Sequence, residues 1–246
     1  MFEYNNIKVN YKEYGKKDGK PIIFLHGWGQ NIKMMEPIAN PFEDTHHLII
    51  IDLPGFGLSD EPTSNWDLST YVEMINNLVQ KLELKNITII GHSFGGKLAI
   101  MYALKYSVYK LVLLASPFKQ KITKVSTKVK ILKTLKKIPG LKRFENFAKS
   151  HMGSTDYKNA SPIMRDILVK HVNTDLSKEV NQIKCPTLII WGTKDDDVPY
   201  EDAKELETLI PDSGLVTYEG CTHYAYLERL NQTVNVLNSF IGSDKK

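Results

Sequence analysis

Cysteine is scarce in this chain. Its 246 residues include two, Cys185 and Cys221. Their spacing fits no metal-ligand motif, and two thiols are too few for a disulfide framework. Long apolar runs are absent as well: none approaches the roughly 18 residues that a membrane span needs. No stable membrane insertion is therefore expected. The opening residues, Met-Phe-Glu-Tyr-Asn-Asn, contain neither a basic n-region nor an apolar h-region. That favours a cytoplasmic protein over a secreted one. No internal repeat or low-complexity tract is visible. Apolar residues make up 42% of the chain and charged residues 24%. This balance excludes a disordered or collagen-like chain. The length suffices for a sizeable core without staples.

The net charge of +4 is unevenly placed. From Lys119 to Lys149 there are ten lysines and Arg143 against a single acid, Glu145, so the remainder is net acidic. Within this stretch Ile122, Val125, Val129, Leu132 and Leu135 recur at steps of three or four, the spacing of an amphipathic helix with lysines on its other face. Pro139-Gly140 should end it. Such a face is either simply solvated or a docking surface for an anionic substrate or an acyl carrier. Nucleic acid is not expected as a partner, because no recognised binding motif accompanies the lysines.

Near-continuous apolar runs cover Ile22 to Leu25, Leu48 to Ile51, Ile87 to Ile90, Leu111 to Ala115 and Thr187 to Trp191. Runs of this kind suit parallel strands buried on both faces. Ile7 to Tyr14 alternates, as an antiparallel edge strand would, and Leu215 to Tyr218 reads as the last strand. Helical patterns span Leu68 to Leu84, Gly95 to Tyr106, Tyr200 to Leu209 and Ala225 to Ile241. The alternation predicts an α/β fold with a doubly wound, mostly parallel, eight-stranded sheet. Residues 118–182 break the pattern with helical stretches and no convincing strand. They are expected to form a helical cap inserted between two parts of the core, 1–117 and 183–246.

Gly91-His92-Ser93-Phe94-Gly95 is a G-x-S-x-G between a predicted strand and a predicted helix, the context of a nucleophile elbow. A serine hydroxyl is a weak nucleophile until a base takes its proton, and that base needs a carboxylate to orient it. The chain order on such a fold is serine, acid, histidine. Of seven histidines, His223 alone follows the final strand, in Gly220-Cys221-Thr222-His223. Asp195, Asp196 and Asp197 all follow the strand that ends at Trp191, and the residues alone do not choose among them.

With these motifs the chain resembles the alpha/beta-hydrolase superfamily, in its capped serine carboxylesterase and carbon–carbon hydrolase branch. The resemblance runs from about Tyr4 to Ile241 and is weakest across the insertion. In that family the acid commonly lies in W-G-x-x-D-x-x-x-P, which Trp191 to Pro199 matches with the acid at Asp195. His26-Gly27-Trp28-Gly29 is similar to the family's first oxyanion loop. This implies that backbone N–H groups of Trp28 and Phe94 hold the developing oxyanion. His26 and His92 are expected to be structural supports. Asp52-Leu53-Pro54-Gly55-Phe56-Gly57-Leu58-Ser59 is similar to an architectural family turn.

The reading implied is a serine hydrolase that cleaves a small-molecule ester with Ser93, His223 and Asp195, and needs no metal or cofactor. Phe118 and Tyr224 are candidate pocket walls by their nearness to the site in sequence. Haloalkane dehalogenases and epoxide hydrolases carry aspartate at the elbow, so Ser93 argues against both. Three readings share the constellation and stay open: carbon–carbon hydrolase, thioesterase and perhydrolase. A ligand receptor with slow or no turnover is an alternative of a different class.

Overall fold

The computed structural model describes residues 1–120 and 160–242. The expected amphipathic helix from Ile122 to Leu135 and nearly all of the basic stretch lie outside them.

Seven strands form one sheet: β3 (Tyr11–Gly15), β4 (Pro21–Leu25), β5 (His47–Ile51), β6 (Thr88–His92), β7 (Lys110–Leu114), β8 (Thr187–Gly192) and β9 (Ser213–Tyr218). Their spatial order is β3-β5-β4-β6-β7-β8-β9. β3 runs antiparallel to β5, and every other neighbouring pair is parallel. The strands from β4 to β8 are buried at every position, which is why their sequences are continuous rather than alternating.

The expected eight-stranded sheet is corrected at its N-terminal edge. The stretch from Ile7 to Tyr14 is two strands, not one. β2 (Ile7–Val9) leaves the main sheet and pairs antiparallel with β1 (Phe2–Tyr4). Asn5 and Asn6 carry the turn between them at φ +49° and +62°. Asparagine tolerates this left-handed region, and two such residues make the turn whose twist matches a hairpin.

Helices cover both faces: α1 (Glu36–Ala39), α2 (Leu68–Lys81), α3 (Phe94–Lys105), α4 (Pro162–Asn173), α5 (Tyr200–Leu209), α6 (Ala225–Glu228) and α7 (Leu230–Gly242). Two buried apolar clusters result. One lies under α2 and α3, with Ile23, Ile89, Leu98 and Leu113. The other lies under α1 and α7, with Phe24, Ile50, Val112 and Leu237. The expected single helix from Ala225 to Ile241 is broken at Arg229, which adopts φ −120° and ψ +46°.

Between β7 and β8 the described residues hold α4 and a short turn at Val180–Gln182, and no strand. Leu176 N–H donates to the Phe118 carbonyl at 2.7 Å, so the two ends of this stretch meet. Among the described residues no helix is long and apolar enough to cross a membrane.

The topology locates the functional end of the molecule. The chain passes from β4 to β5 on one side and then returns to β6 on the other side of β4. Ligands of open α/β sheets bind at such a reversal, beyond the carboxyl ends of the strands. Here Leu25 and Gly91 are register partners, so the loops that follow, at His26 and Ser93, emerge side by side.

Candidate active site

Ser93 is the single residue between β6 and α3. Its backbone lies at φ +50°, ψ −111°, a region that costs a non-glycine residue about 1–3 kcal/mol. The surroundings impose this conformation. Ser93 N–H donates to the Leu114 carbonyl at 3.0 Å, and Gly95 N–H donates to the His26 carbonyl at 3.1 Å. A Cβ on Gly95 would run into the carbonyls of Leu25 and His26, and one on Gly91 into the backbone of Gly95 and Gly96. The glycines of the motif thus allow helix, strand and the loop after β4 to crowd around one serine.

That loop carries Trp28, whose ring packs edge-on against Phe94 at 5.3 Å and Phe56 at 4.9 Å. Phe94 itself has no exposed surface. As the first residue of α3 it has an N–H that the helix does not use. His26, fully buried, donates from Nδ1 to the Gly27 carbonyl at 2.7 Å and accepts the Leu53 N–H at Nε2 at 2.9 Å. Burial pulls its pKa down to about 4. Asp52 gathers the neighbouring turn by accepting from Asn10 Nδ2, Ile32 N–H and Leu58 N–H at 2.8 to 2.9 Å.

The candidate acid and base come from the loops after β8 and β9. His223 Nδ1 donates to Asp195 Oδ2 at 2.8 Å, and the Asp195 side chain is fully buried. Asp195 Oδ1 accepts the N–H groups of Asp197 and Val198 at 2.9 and 2.8 Å. Asp196 and Asp197 are exposed. Of the three adjacent aspartates, then, the structure turns Asp195 onto the histidine. The two loops are laced together, because Lys194 N–H donates to the Cys221 carbonyl at 2.9 Å and Thr193 N–H to the Tyr218 carbonyl at 3.1 Å. Glu228 holds the base loop by accepting the Thr222 N–H at 3.2 Å; its hydrogen bonds to Thr222 lower its pKa.

His92 joins the halves of the site. It directly precedes Ser93, and its ring lies 4.8 Å from the His223 ring. Nε2 faces the His223 carbonyl at 3.1 Å, and Nδ1 faces Gln30 Oε1 at 3.2 Å. Gln30 Oε1 also accepts the Gly27 N–H at 3.0 Å. The network therefore runs from the loop after β4, through the elbow, to the base loop. Burial, followed by the charge of His223, pulls the His92 pKa down to about 3.

Both buried histidines carry a consequence for acid stability. Each binds its proton less readily folded than unfolded, so stability is full above the ordinary histidine value of about 6.5 and falls below it. Each contributes about 1.4 kcal/mol per pH unit down to its folded pKa. Urea unfolding should therefore lose about 3–4 kcal/mol between pH 7 and pH 5 from these two residues. His92→Gln should remove about half of that slope, and an unchanged slope would contradict the assignment.

Of the two proposed wall residues, Tyr224 is 40% exposed beside His223, with its ring 5.6 Å away. Phe118 has no exposed surface and packs in the cluster under α3, as Phe94 does. Both cysteines are free, and Cys221 is buried. Among the described residues, Asp195, Asp197 and His223 bring possible metal-ligand atoms within 4.8 Å of one another. The hydrogen bonds already named use Asp195 and the Nδ1 side of His223 as an orienting pair.

Comparison with known proteins agrees with this geometry. The family model described as alpha/beta hydrolase fold matches residues 20–139, and one described as TAP-like protein matches residues 166–242. The AB hydrolase superfamily protein YisY of Bacillus subtilis is 30% identical over 251 residues, covering 92% of each chain. This chain belongs to the alpha/beta-hydrolase superfamily. Lipase 1 of Psychrobacter immobilis is 27% identical, over 95% of this chain and 80% of its own. Among solved structures, an esterase from Exiguobacterium antarcticum superposes with a TM-score of 0.76 at 26% identity, covering 96% of each chain. The hydrolase fold thus accounts for the sheet order, and this chain is a member of a hydrolase family with lipase and esterase relatives.

Proposed function

We propose that this alpha/beta hydrolase is a serine carboxylesterase acting on a small-molecule ester, with Ser93 as nucleophile, His223 as general base and acid, and Asp195 as orienting carboxylate. The observation that carries the reading is the buried Asp195–His223 pair at 2.8 Å, joined through His92 to a serine held at φ +50°. The esterase and lipase names of its relatives favour ester substrates.

In the proposed reaction Ser93 Oγ attacks the acyl carbonyl while His223 Nε2 takes the hydroxyl proton. Asp195 keeps the Nδ1 proton in place and stabilises the imidazolium. The carbonyl oxygen becomes an oxyanion held by the N–H groups of Trp28 and Phe94. The C–O bond to the alcohol then breaks, and His223 returns the proton to the departing oxygen. Water, activated by the same histidine, frees the acyl group and regenerates Ser93. All of this uses side chains and backbone of the chain itself. Tyr224 lies at the rim of the site in this reading.

A chain-length series of p-nitrophenyl esters, acetate through decanoate, tests the proposal. Multiple turnover with an optimum length is the expected result, and that optimum measures the acyl pocket. One equivalent of product followed by no further release would replace the esterase reading with a receptor-like one.

A further inference from the structure

One buried cation is not used by the proposed chemistry. Lys97 sits on α3, one helical turn beyond Ser93, and is 1% exposed. Its ammonium donates to three backbone carbonyls: Thr174 at 2.8 Å, His171 at 2.9 Å and Lys119 at 3.3 Å. Lys119 belongs to the entry stem of the 118–182 stretch. His171 and Thr174 belong to its exit stem, at the carboxyl end of α4. Carbonyls at a helix carboxyl end have no partner within the helix and carry partial negative charge, so a lysine ammonium suits them in both respects.

The rest of the surroundings repeats the theme. Gln120 Nε2 donates to Asn173 Oδ1 at 3.1 Å across the two stems, beside the bond from Leu176 to Phe118. The Lys119 side chain turns outward to Asp202 and Glu205 on α5. The His171 ring rests edge-on against Phe94 at 4.9 Å. Asp175 is the carboxylate whose charge acts on Lys97.

We propose that Lys97 is a clasp that fixes both stems of the insertion to the nucleophile helix, and is thereby a positioning residue for the part of the site that meets long acyl chains. The second half of this inference rests on the esterase reading above; the first half does not. Burial pulls the Lys97 pKa down to about 8, with Asp175 pulling the other way. A folded value below the ordinary one means that holding the charge costs the closed clasp free energy at neutral pH.

The test is Lys97→Met, which keeps a long unbranched side chain and removes the donors. Hydrogen exchange should show the amides of 118–120 and 171–176 exchanging about tenfold faster than in the wild type, with β6 and β7 unchanged. KM for p-nitrophenyl octanoate should rise about fivefold or more, while kcat and KM for the acetate stay within about twofold. Stems as protected as in the wild type would overturn the clasp, and so would protection lost evenly across the sheet. Equal effects on both esters would overturn the positioning role. If Lys97→Met does not fold, the wild type alone decides: the amides of 118–120 and 171–176 should open together with one denaturant dependence, and stems that open independently overturn the proposal. If the wild type hydrolyses neither ester, the esterase reading fails, and hydrogen exchange still judges the clasp.

Discussion

Ser93→Gly should abolish ester turnover and at the same time make the protein more stable. Both effects come from one residue. The hydroxyl is the proposed nucleophile, and its removal from an oriented triad lowers kcat by about 10⁴-fold or more. The backbone at φ +50°, ψ −111° is strained for serine and open to glycine. Relief of about 1–3 kcal/mol outweighs the extra chain entropy that glycine loses on folding, about 0.5–1 kcal/mol. Net gain of about 1 kcal/mol should raise Tm by about 2–4 °C for a chain of this size. Ser93→Ala separates the terms: it should lose the same turnover with no comparable gain in Tm. Calorimetry beside the ester assay measures both. Turnover retained by Ser93→Ala would remove Ser93 from the mechanism, and equal Tm values for the glycine and alanine variants would remove the strain argument.

Asp195→Asn should cost about 10⁴-fold in kcat while leaving the fold intact, as the loss of tautomer control does in other triads. The geometry explains why the damage is selective. Two backbone N–H groups converge on Asp195 Oδ1. In the asparagine variant they hold the amide oxygen there and turn the amide nitrogen toward His223 Nδ1. That nitrogen donates, so the ring must accept at Nδ1 and carry its proton on Nε2, where it can no longer act as a base toward Ser93. Asp196→Asn is the matched control, because that side chain lies outside the hydrogen bonds of the pair. Its kcat should remain within about twofold of the wild type. If Asp196→Asn were the damaging change, the proposed acid would be wrong.

Much of the fold is legible in the sequence. The buried strands declared themselves because a strand covered on both faces must be apolar throughout. The elbow did so because close packing around Ser93 requires glycines at fixed offsets. The acid was harder to read. Three aspartates stand together in sequence, and what distinguishes Asp195 is set by the fold: its burial, its bond to His223 and the two backbone N–H groups on Oδ1. The N-terminal hairpin was missed, although two adjacent asparagines between Tyr4 and Ile7 are a turn signal. Lys97 was overlooked for another reason. A lysine in a helix normally reads as solvent-facing, and its partners are backbone carbonyls some 74 and 77 residues away, which leave no mark on side-chain patterns.

The bond between Leu176 and Phe118 has a consequence for how such a protein can change. Because the two ends of the insertion touch, everything between them is a closed excursion from the hydrolase scaffold. A short turn could bridge those ends without moving β7 or β8, and a different excursion with the same end-to-end distance could replace the present one. The residues proposed for bond cleavage all lie outside the excursion, at 28, 93, 94, 195 and 223. The proposed chemistry and the insertion are thus separable parts of the sequence. Selection, or an engineer, could exchange the second while inheriting the first.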